Sequence, residues 1–179
     1  MSAATNVYLI GPMGVGKTTV GRALARQLGM EFADSDQEIE ERTGVTISTI
    51  FDIEGEEGFR KREAAMLKEL AARRNTVIAT GGGIVILPEN RDLMRADGTI
   101  VYLHASVDMQ MERTRNSKNR PLLEKGDRQE VLEQLMAVRE PLYRELADVV
   151  IVTDSRAPTV VAREIANQIR ELWNQSSSI

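Results

Sequence analysis

The stretch GPMGVGKTT, residues 11–19, combines closely spaced glycines with a lysine and two hydroxyl side chains near the start of the chain. Glycine permits positive φ angles and close backbone approach, so successive N–H groups can point into one concavity. The Lys17 ammonium can reach between two phosphate groups, and the Thr18 hydroxyl is an oxygen ligand that suits Mg²⁺. The pattern Gly-x-x-x-x-Gly-Lys-Thr therefore indicates a loop that binds a nucleoside triphosphate. It does not indicate which molecule receives the phosphate.

Two aspartates, Asp34 and Asp36, follow a short apolar stretch at residues 31–33. On extended backbone, side chains two residues apart point to the same side, so both carboxylates could face the phosphate loop. One could hold Mg²⁺ through water, while the other accepts or orients the proton of a substrate hydroxyl. Asp36 also suits the N-cap of a helix that begins at QEIEER, and these residues alone favour capping.

The charged stretch EGEEGFRKRE places Arg60 and Glu63 three residues apart, on one face of a helix beside Phe59. An arginine in such a run is usually solvated. From this stretch alone we therefore expect Arg60 at the protein surface.

Three consecutive glycines, Gly81, Gly82 and Gly83, follow another short apolar stretch. They would let a ligand lie against bare backbone at the carboxyl end of a strand, where open α/β sheets bind their ligands. A flexible strand-to-helix turn is the simpler interpretation, but such a turn does not require three glycines.

Short β-branched stretches alternate with longer helical patterns along the chain, and this alternation positions the motifs. It predicts an α/β fold, with a parallel sheet covered by helices on both sides in a single domain over residues 1–179. The predicted strands are residues 7–10, 31–33, 76–79, 99–103 and 149–152. Three helices show an apolar face, formed by Val20, Ala23, Leu24 and Leu28, by Phe59, Met66, Leu67 and Leu70, and by Val161, Ile165, Ile169 and Leu172.

One segment, residues 113–129, does not fit this alternation because it is polar, charged and interrupted by Pro121 and Gly126. So long an irregular stretch in a compact domain is often a lid. Within it, Arg120 stands before a proline, which favours extended backbone, and Leu122 and Leu123 could dock when the lid closes.

The composition excludes several classes of protein. The formal charge of −4 argues against a broad nucleic-acid-binding face, and the absence of cysteine excludes disulfides and thiolate metal sites. The single histidine, His104, cannot make a zinc site by itself. Without a membrane-length apolar run or a signal-peptide pattern, we expect a cytoplasmic protein that binds neither nucleic acid nor membrane.

Taken together, the motifs resemble the shikimate kinase family. The sequences GPMGVGKTT, DSDQEIE, GEEGFRKRE, ATGGG, RPLL and REPLY occur in this order across nearly the whole chain. Members of that family have a P-loop three-layer α/β/α fold with a central parallel sheet of about five strands and a mobile lid. They transfer the γ-phosphoryl group of ATP to the 3-hydroxyl of shikimate, in the biosynthesis of aromatic amino acids.

On the nucleotide side, the resemblance implies ATP and Mg²⁺ as cofactors. Arg113 and Arg156 stand where the family contacts adenine, and Arg120 stands where its lid reaches the phosphates. Thr18 and Asp34 are the expected metal ligands, Asp34 through water. The residues expected to contact ATP are Gly14, Val15, Gly16, Lys17, Thr18, Thr19, Arg113, Arg120 and Arg156.

On the acceptor side, the resemblance implies that Arg60 and Arg139 grip the carboxylate of shikimate. Asp36 would contact the ring hydroxyls and orient or deprotonate the attacking one. The catalytic groups are then Lys17, Asp36 and Arg120. The expected substrate contacts are Asp36, Arg60, Gly81, Gly82, Gly83 and Arg139. We expect a monomer.

Other P-loop proteins are the alternatives. A gluconate kinase or a nucleoside monophosphate kinase would share the fold, but the combination of DSD, GFR and GGG with Arg139 favours shikimate. A GTP-binding switch usually carries Asn-Lys-x-Asp, which this sequence lacks. The charge and size of the chain also argue against a nucleic-acid-dependent ATPase.

Overall fold

A computed structural model of the protein describes residues 5–115, 121–123 and 127–178. In chain order its elements are β1 (Asn6–Ile10), α1 (Lys17–Leu28), β2 (Glu31–Asp34), α2 (Ser35–Thr43), α3 (Ile47–Ala71), β3 (Thr76–Ala79), α4 (Pro88–Asp97), β4 (Gly98–His104), α5 (Val107–Thr114), a 3₁₀ turn (Pro121–Leu123), α6 (Arg128–Leu146), β5 (Val149–Val152) and α7 (Pro158–Ser176). Helix α3 is kinked at Gly55, where φ is 72°.

The strands form one parallel sheet in the order β2-β3-β1-β4-β5, so β1 lies at its centre. All of the strands predicted from sequence are present, and three of them extend by one or two residues beyond the predicted bounds. Because every strand runs in the same direction, the segments after β1, β2 and β3 meet at one edge of the sheet, where ligands bind in open α/β folds.

The sheet separates two hydrophobic clusters, which confirms the three-layer arrangement. Successive side chains of β1 alternate between them: Tyr8 and Ile10 pack with α3, α4 and α6, whereas Val7 and Leu9 pack with α1 and α7. The predicted apolar helix faces lie in these clusters. Among the residues that the structure describes, no helix combines the length and apolarity that crossing a membrane requires.

The segment predicted to be irregular is shorter than residues 113–129. Arg113 belongs to the last turn of α5, while Arg128 and Gln129 begin α6 behind the N-cap Asp127. Between them, the described residues Pro121–Leu123 form the 3₁₀ turn, in which Leu123 is buried. Residues 116–120, including Arg120, and residues 124–126 lie outside the described part of the chain.

Candidate active site

The loop between β1 and α1 has the backbone that its glycines predict. Gly11 has φ 145° and Gly16 has φ 91°. A Cβ atom at Gly11 would lie 2.4 Å from the carbonyl oxygen of Leu103, so the loop passes β4 too closely for any side chain. Helix α1 begins at Lys17, which directs its N-terminal N–H groups into the loop. The Lys17 Nζ donates hydrogen bonds to the carbonyl oxygens of Gly11 at 2.7 Å and Pro12 at 2.8 Å.

Asp34 connects the phosphate loop to the second strand. The Thr18 Oγ1 donates a hydrogen bond of 2.5 Å to Asp34 Oδ2, while Asp34 Oδ1 accepts one of 3.0 Å from the backbone N–H of Gln37. Asp34 is therefore the N-cap of α2, and the sequence interpretation that Asp36 caps this helix is wrong. The strand ends at Asp34, so Asp36 does not continue the extended backbone on which we expected both carboxylates to lie.

The pair formed by Thr18 and Asp34 fits a magnesium ion by the chemistry of its atoms. Both side chains offer oxygen, the donor that Mg²⁺ prefers, and they already lie in contact with each other. The described residues contain no group of three or more acidic or histidine side chains that could hold a metal by themselves. A weakly protein-bound Mg²⁺ that completes its shell with water and phosphate oxygens is consistent with such a sparse site.

A cavity of about 700 Å³ runs along the phosphate loop and receives both expected adenine-side arginines. Arg113 Nη1 donates hydrogen bonds to the carbonyl oxygens of Gly14 at 3.2 Å and Val15 at 2.9 Å. Arg156 donates one of 3.1 Å to the Val152 carbonyl and pairs with Glu164. The structure thus brings the expected nucleotide residues Gly14, Val15, Gly16, Lys17, Thr18, Thr19, Arg113 and Arg156 to one cavity.

The glycine turn after β3 lies against a cluster of charged side chains. A Cβ atom at Gly81 would lie 2.8 Å from Glu63 Oε2 and 2.9 Å from Asp36 Oδ1. At Gly83 a Cβ atom would meet the Arg60 guanidinium at 2.4 Å, whereas one at Gly82 would lie 3.2 Å from Arg139 Nη1. The glycines therefore leave room for charged groups that any larger residue would displace.

The charged side chains at this turn are buried. Burial of charge is unusual, because the loss of hydration must be offset by a partner of opposite charge or by hydrogen bonds. Arg60 is 8% exposed, Arg139 4% and Glu63 0%, so the expectation of a surface position for Arg60 is wrong. Arg60 Nη1 lies 2.9 Å from Glu63 Oε1. Burial raises the pKa of Glu63 above its ordinary value, although the Arg60 charge opposes this shift. Burial also lowers the pKa of Arg139 from its ordinary value.

Two residues of this cluster were not among the site residues expected from the sequence. Glu63 is the buried partner of Arg60, and the spacing of three residues was a visible signal for that pairing. Tyr143, from the REPLY motif, donates a hydrogen bond of 2.5 Å to the Gly82 carbonyl oxygen. Apart from its place in that motif, nothing in the sequence distinguishes Tyr143 from an ordinary core tyrosine.

A second, smaller cavity of about 70 Å³ adjoins the charged cluster. Its walls include Arg60, Arg139 and the three glycines, together with Phe51 and the 3₁₀-turn residues Pro121 and Leu122. Asp36, Met13, Gly81 and Gly82 line both cavities. A phosphate donor in the large cavity and a small anionic acceptor in the other would therefore meet beside Asp36.

Comparison with known proteins gives consistent results. The family model described as shikimate kinase matches residues 13–170. A shikimate kinase from Pseudomonas aeruginosa (strain LESB58) is 56% identical over 167 residues, which cover 93% of this chain and 97% of the relative. The solved structure of a shikimate kinase from Acinetobacter baumannii in complex with shikimate superposes with a TM-score of 0.91 at 48% identity, and the match covers 93% of each chain.

More distant structures share the fold alone. A gluconokinase from Sinorhizobium meliloti superposes with a TM-score of 0.62 at 17% identity, covering 99% of this chain and 98% of that one. At such low identity, the likeness carries no information about the acceptor.

Proposed function

Because the chain belongs to the shikimate kinase family, we propose that it transfers the γ-phosphoryl group of ATP to the 3-hydroxyl of shikimate, yielding shikimate 3-phosphate and ADP. One observation carries the choice of acceptor. Two buried arginines converge on a bare glycine turn beside Asp36, next to the cavity of the phosphate loop. A relative that is 48% identical has been solved in complex with shikimate, an acid with several ring hydroxyls.

The nucleotide occupies the large cavity in this proposal. The N–H groups of the phosphate loop and the start of α1 bind the phosphates, and Lys17 exchanges its loop carbonyl partners for phosphate oxygens. Arg113 and Arg156 hold the adenine end. Mg²⁺, when bound, would neutralise charge on the phosphates. Thr18 and Asp34 would hold the ion, Thr18 by its hydroxyl and Asp34 through water.

The acceptor occupies the small cavity. Arg60 and Arg139 bind the carboxylate, because a guanidinium forms planar, charge-assisted hydrogen bonds to such a group. The Gly81–Gly83 backbone lines the same pocket, as any side chain there would collide with the arginines or carboxylates. Because both arginines are buried, their electrostatic attraction to a bound carboxylate is stronger than it would be at the surface.

Asp36 orients the attacking hydroxyl and accepts its proton. Phosphoryl transfer depends mainly on positioning and on neutralising charge, so one well-placed carboxylate is sufficient as the base. Arg120, delivered by the lid within residues 113–129, completes the positive charge around the transferred group. Closure of the lid excludes water, which would otherwise hydrolyse ATP.

We further propose that the enzyme works as a monomer in the cytoplasm and binds neither nucleic acid nor membrane. The net charge of −4 argues against a broad nucleic-acid-binding face, and both cavities are of the size that small molecules occupy. Gluconate kinase is the alternative activity, because such an enzyme shares the fold and accepts an acid.

An assay of ADP release with a panel of acceptors tests the proposal. Shikimate should give the highest kcat/KM, gluconate and nucleoside monophosphates should be much poorer, and chelation of Mg²⁺ should abolish turnover. A higher kcat/KM for gluconate than for shikimate would refute the assignment. Turnover without a divalent cation would refute the role of Thr18 and Asp34.

A further inference from the structure

Tyr143 is a buried tyrosine that the nucleotide and acceptor roles above do not use. It lies on α6, four residues after Arg139, and is 0% exposed. Its hydroxyl donates a hydrogen bond of 2.5 Å to the Gly82 carbonyl oxygen, the middle residue of the glycine turn. Its ring stacks on that of Tyr102, with centroids 5.0 Å apart. The side chain thus connects α6 to the turn that lines the acceptor cavity.

Tyr143 and Arg139 are also neighbours, because they lie four residues apart on α6 and line the same small cavity beside Pro12 and Met13. Burial raises the pKa of Tyr143 to about 12, while Arg139, by its charge and a side-chain hydrogen bond, opposes the rise. The phenol therefore keeps its proton at neutral pH. Because a phenol has one donor and further acceptor capacity, it can donate to Gly82 and accept from Arg139 at the same time.

The direction of the Gly82 carbonyl determines the direction of the next N–H group. The peptide bond between Gly82 and Gly83 is trans, so the Gly83 N–H points away from Tyr143. Among the described residues, no backbone carbonyl accepts a hydrogen bond from the N–H group of Gly82 or Gly83. Glycine has little intrinsic preference for one orientation of this peptide. The hydrogen bond from Tyr143 to the Gly82 carbonyl therefore has a large effect on the orientation.

We propose that Tyr143 is a positioning residue for the carboxylate of the acceptor. It fixes the Arg139 guanidinium and the peptide between Gly82 and Gly83 in one arrangement before the acceptor binds. This inference rests on the proposed function and assigns a role to a residue that does not itself touch the substrate. The energetic benefit is preorganisation, because the binding site does not have to be ordered by the ligand.

The test is Tyr143→Phe, which keeps the ring and removes the hydroxyl. Loss of one hydrogen bond predicts a rise in the KM for shikimate of about 3- to 10-fold. The KM for ATP should be unchanged, and kcat should change less than the KM for shikimate. The matched control is Tyr102→Phe, which removes another fully buried hydroxyl from the same ring stack. Tyr102 lacks a hydrogen bond to the glycine turn among the described contacts, so this variant should leave both KM values unchanged.

A double-mutant cycle separates positioning from general destabilisation. If Tyr143 acts through Arg139, the effect of Tyr143→Phe on the KM for shikimate should shrink in an Arg139→Ala background. An undiminished effect in that background, or an equal rise in the KM for ATP, would overturn the inference. Turnover of shikimate by the wild type in the same assay tests the proposed function independently. A wrong acceptor assignment can therefore be distinguished from a wrong role for Tyr143.

A measurement on the wild-type protein covers the case in which Tyr143→Phe does not fold. The chain has three tyrosines, so ¹³Cζ-tyrosine labelling gives three resonances, which Tyr102→Phe and Tyr8→Phe help to assign. Adding shikimate should shift the Tyr143 resonance, and adding ADP alone should not. A Tyr143 resonance that responds to ADP and not to shikimate would also overturn the inference.

Discussion

The Thr18 hydroxyl and the Asp34 carboxylate lie 2.5 Å apart and join the phosphate loop to the strand beside β3. The other oxygen of Asp34 caps α2 through the N–H of Gln37. One side chain therefore belongs to both the proposed metal site and a helix terminus. The helix that carries Asp36 is consequently linked to the proposed phosphate loop.

Asp34→Asn should weaken Mg²⁺ use without unfolding the protein. Asparagine is as good an N-cap as aspartate, so α2 keeps its terminus, but the negative charge is lost. We expect the Mg²⁺ concentration for half-maximal activity to rise about 10-fold or more, which corresponds to about 1.4 kcal/mol. The control is Asp148→Asn, since Asp148 also accepts a backbone hydrogen bond, from Ile100 at 2.8 Å, at the opposite end of the sheet. An unchanged Mg²⁺ dependence in Asp34→Asn would leave Asp34 as a cap only.

Asp36→Asn should keep the fold and ATP binding but lose catalysis. Because Asp34 is the cap of α2, this substitution removes no helix cap, and the loss of a positioned base typically lowers kcat by about 10²- to 10⁴-fold. ATP affinity, measured by its effect on thermal unfolding, should remain near the wild-type value. Glu38→Gln serves as the control, because Glu38 lies on the same helix and pairs with the exposed Arg73. Near-normal turnover of Asp36→Asn would exclude a role for this carboxylate in proton transfer.

The sequence predicted the sheet and the phosphate loop correctly because both depend on local signals. Short β-branched stretches specify the strands, and the glycines specify the loop backbone. The environment of Arg60 could not be predicted in this way. Its charge run resembles a solvated helix face, and only the packing of α3 against the glycine turn buries it. The sequence interpretation likewise placed the N-cap of α2 at Asp36, whereas the structure has it at Asp34. Both aspartates suit this position, and the exact first residue of a helix is difficult to predict from sequence.

Arg60→Ala and Arg139→Ala should each impair the use of shikimate and leave ATP affinity nearly intact. A charge-assisted hydrogen bond contributes about 1.5–3 kcal/mol, so the KM for shikimate should rise about 10- to 100-fold. Shikimate without its carboxylate should bind the wild type as weakly as shikimate binds these variants. Arg62→Ala is the control on the same helix, since Arg62 pairs with Glu54 and is well exposed. A comparable loss of ATP affinity would place Arg60 or Arg139 in the nucleotide site instead.

Glu63→Gln should change the pH dependence of stability. Burial raises the pKa of Glu63 in the folded protein, so the folded state binds a proton more tightly than the unfolded state. The wild type therefore loses stability as pH rises from the unfolded value of about 4.3 through the higher folded value. Glutamine cannot ionise, so the free energy of unfolding of Glu63→Gln, relative to wild type, should increase over this range. Denaturant titrations at several pH values measure this free energy of unfolding. The control is Glu69→Gln, because Glu69 is exposed and pairs with Arg42. A difference that is constant with pH would contradict the raised pKa.

Arg120→Ala should lower turnover severely while the KM for shikimate changes little. Arg120 lies outside the described residues, but Pro121 and Leu122, which follow it directly in sequence, line the smaller cavity. An arginine that neutralises a transferred phosphoryl group contributes about 10³- to 10⁵-fold in rate, by analogy with arginine fingers. The control is Arg115→Ala, because Arg115 is an exposed arginine at the end of α5.

Hydrogen exchange distinguishes a lid from a static loop around Arg120. Exchange in the part of residues 113–129 that lies between α5 and α6 should be fast in the free protein and slow when ADP and shikimate are both bound, because closure buries the segment against the ligands. Leu123 is already buried, so slow exchange confined to its turn would not count as closure. If exchange is unchanged by ligands, the segment is not a lid. If Arg120→Ala also turns over normally, Lys17 and Mg²⁺ must neutralise the transferred phosphoryl group without Arg120.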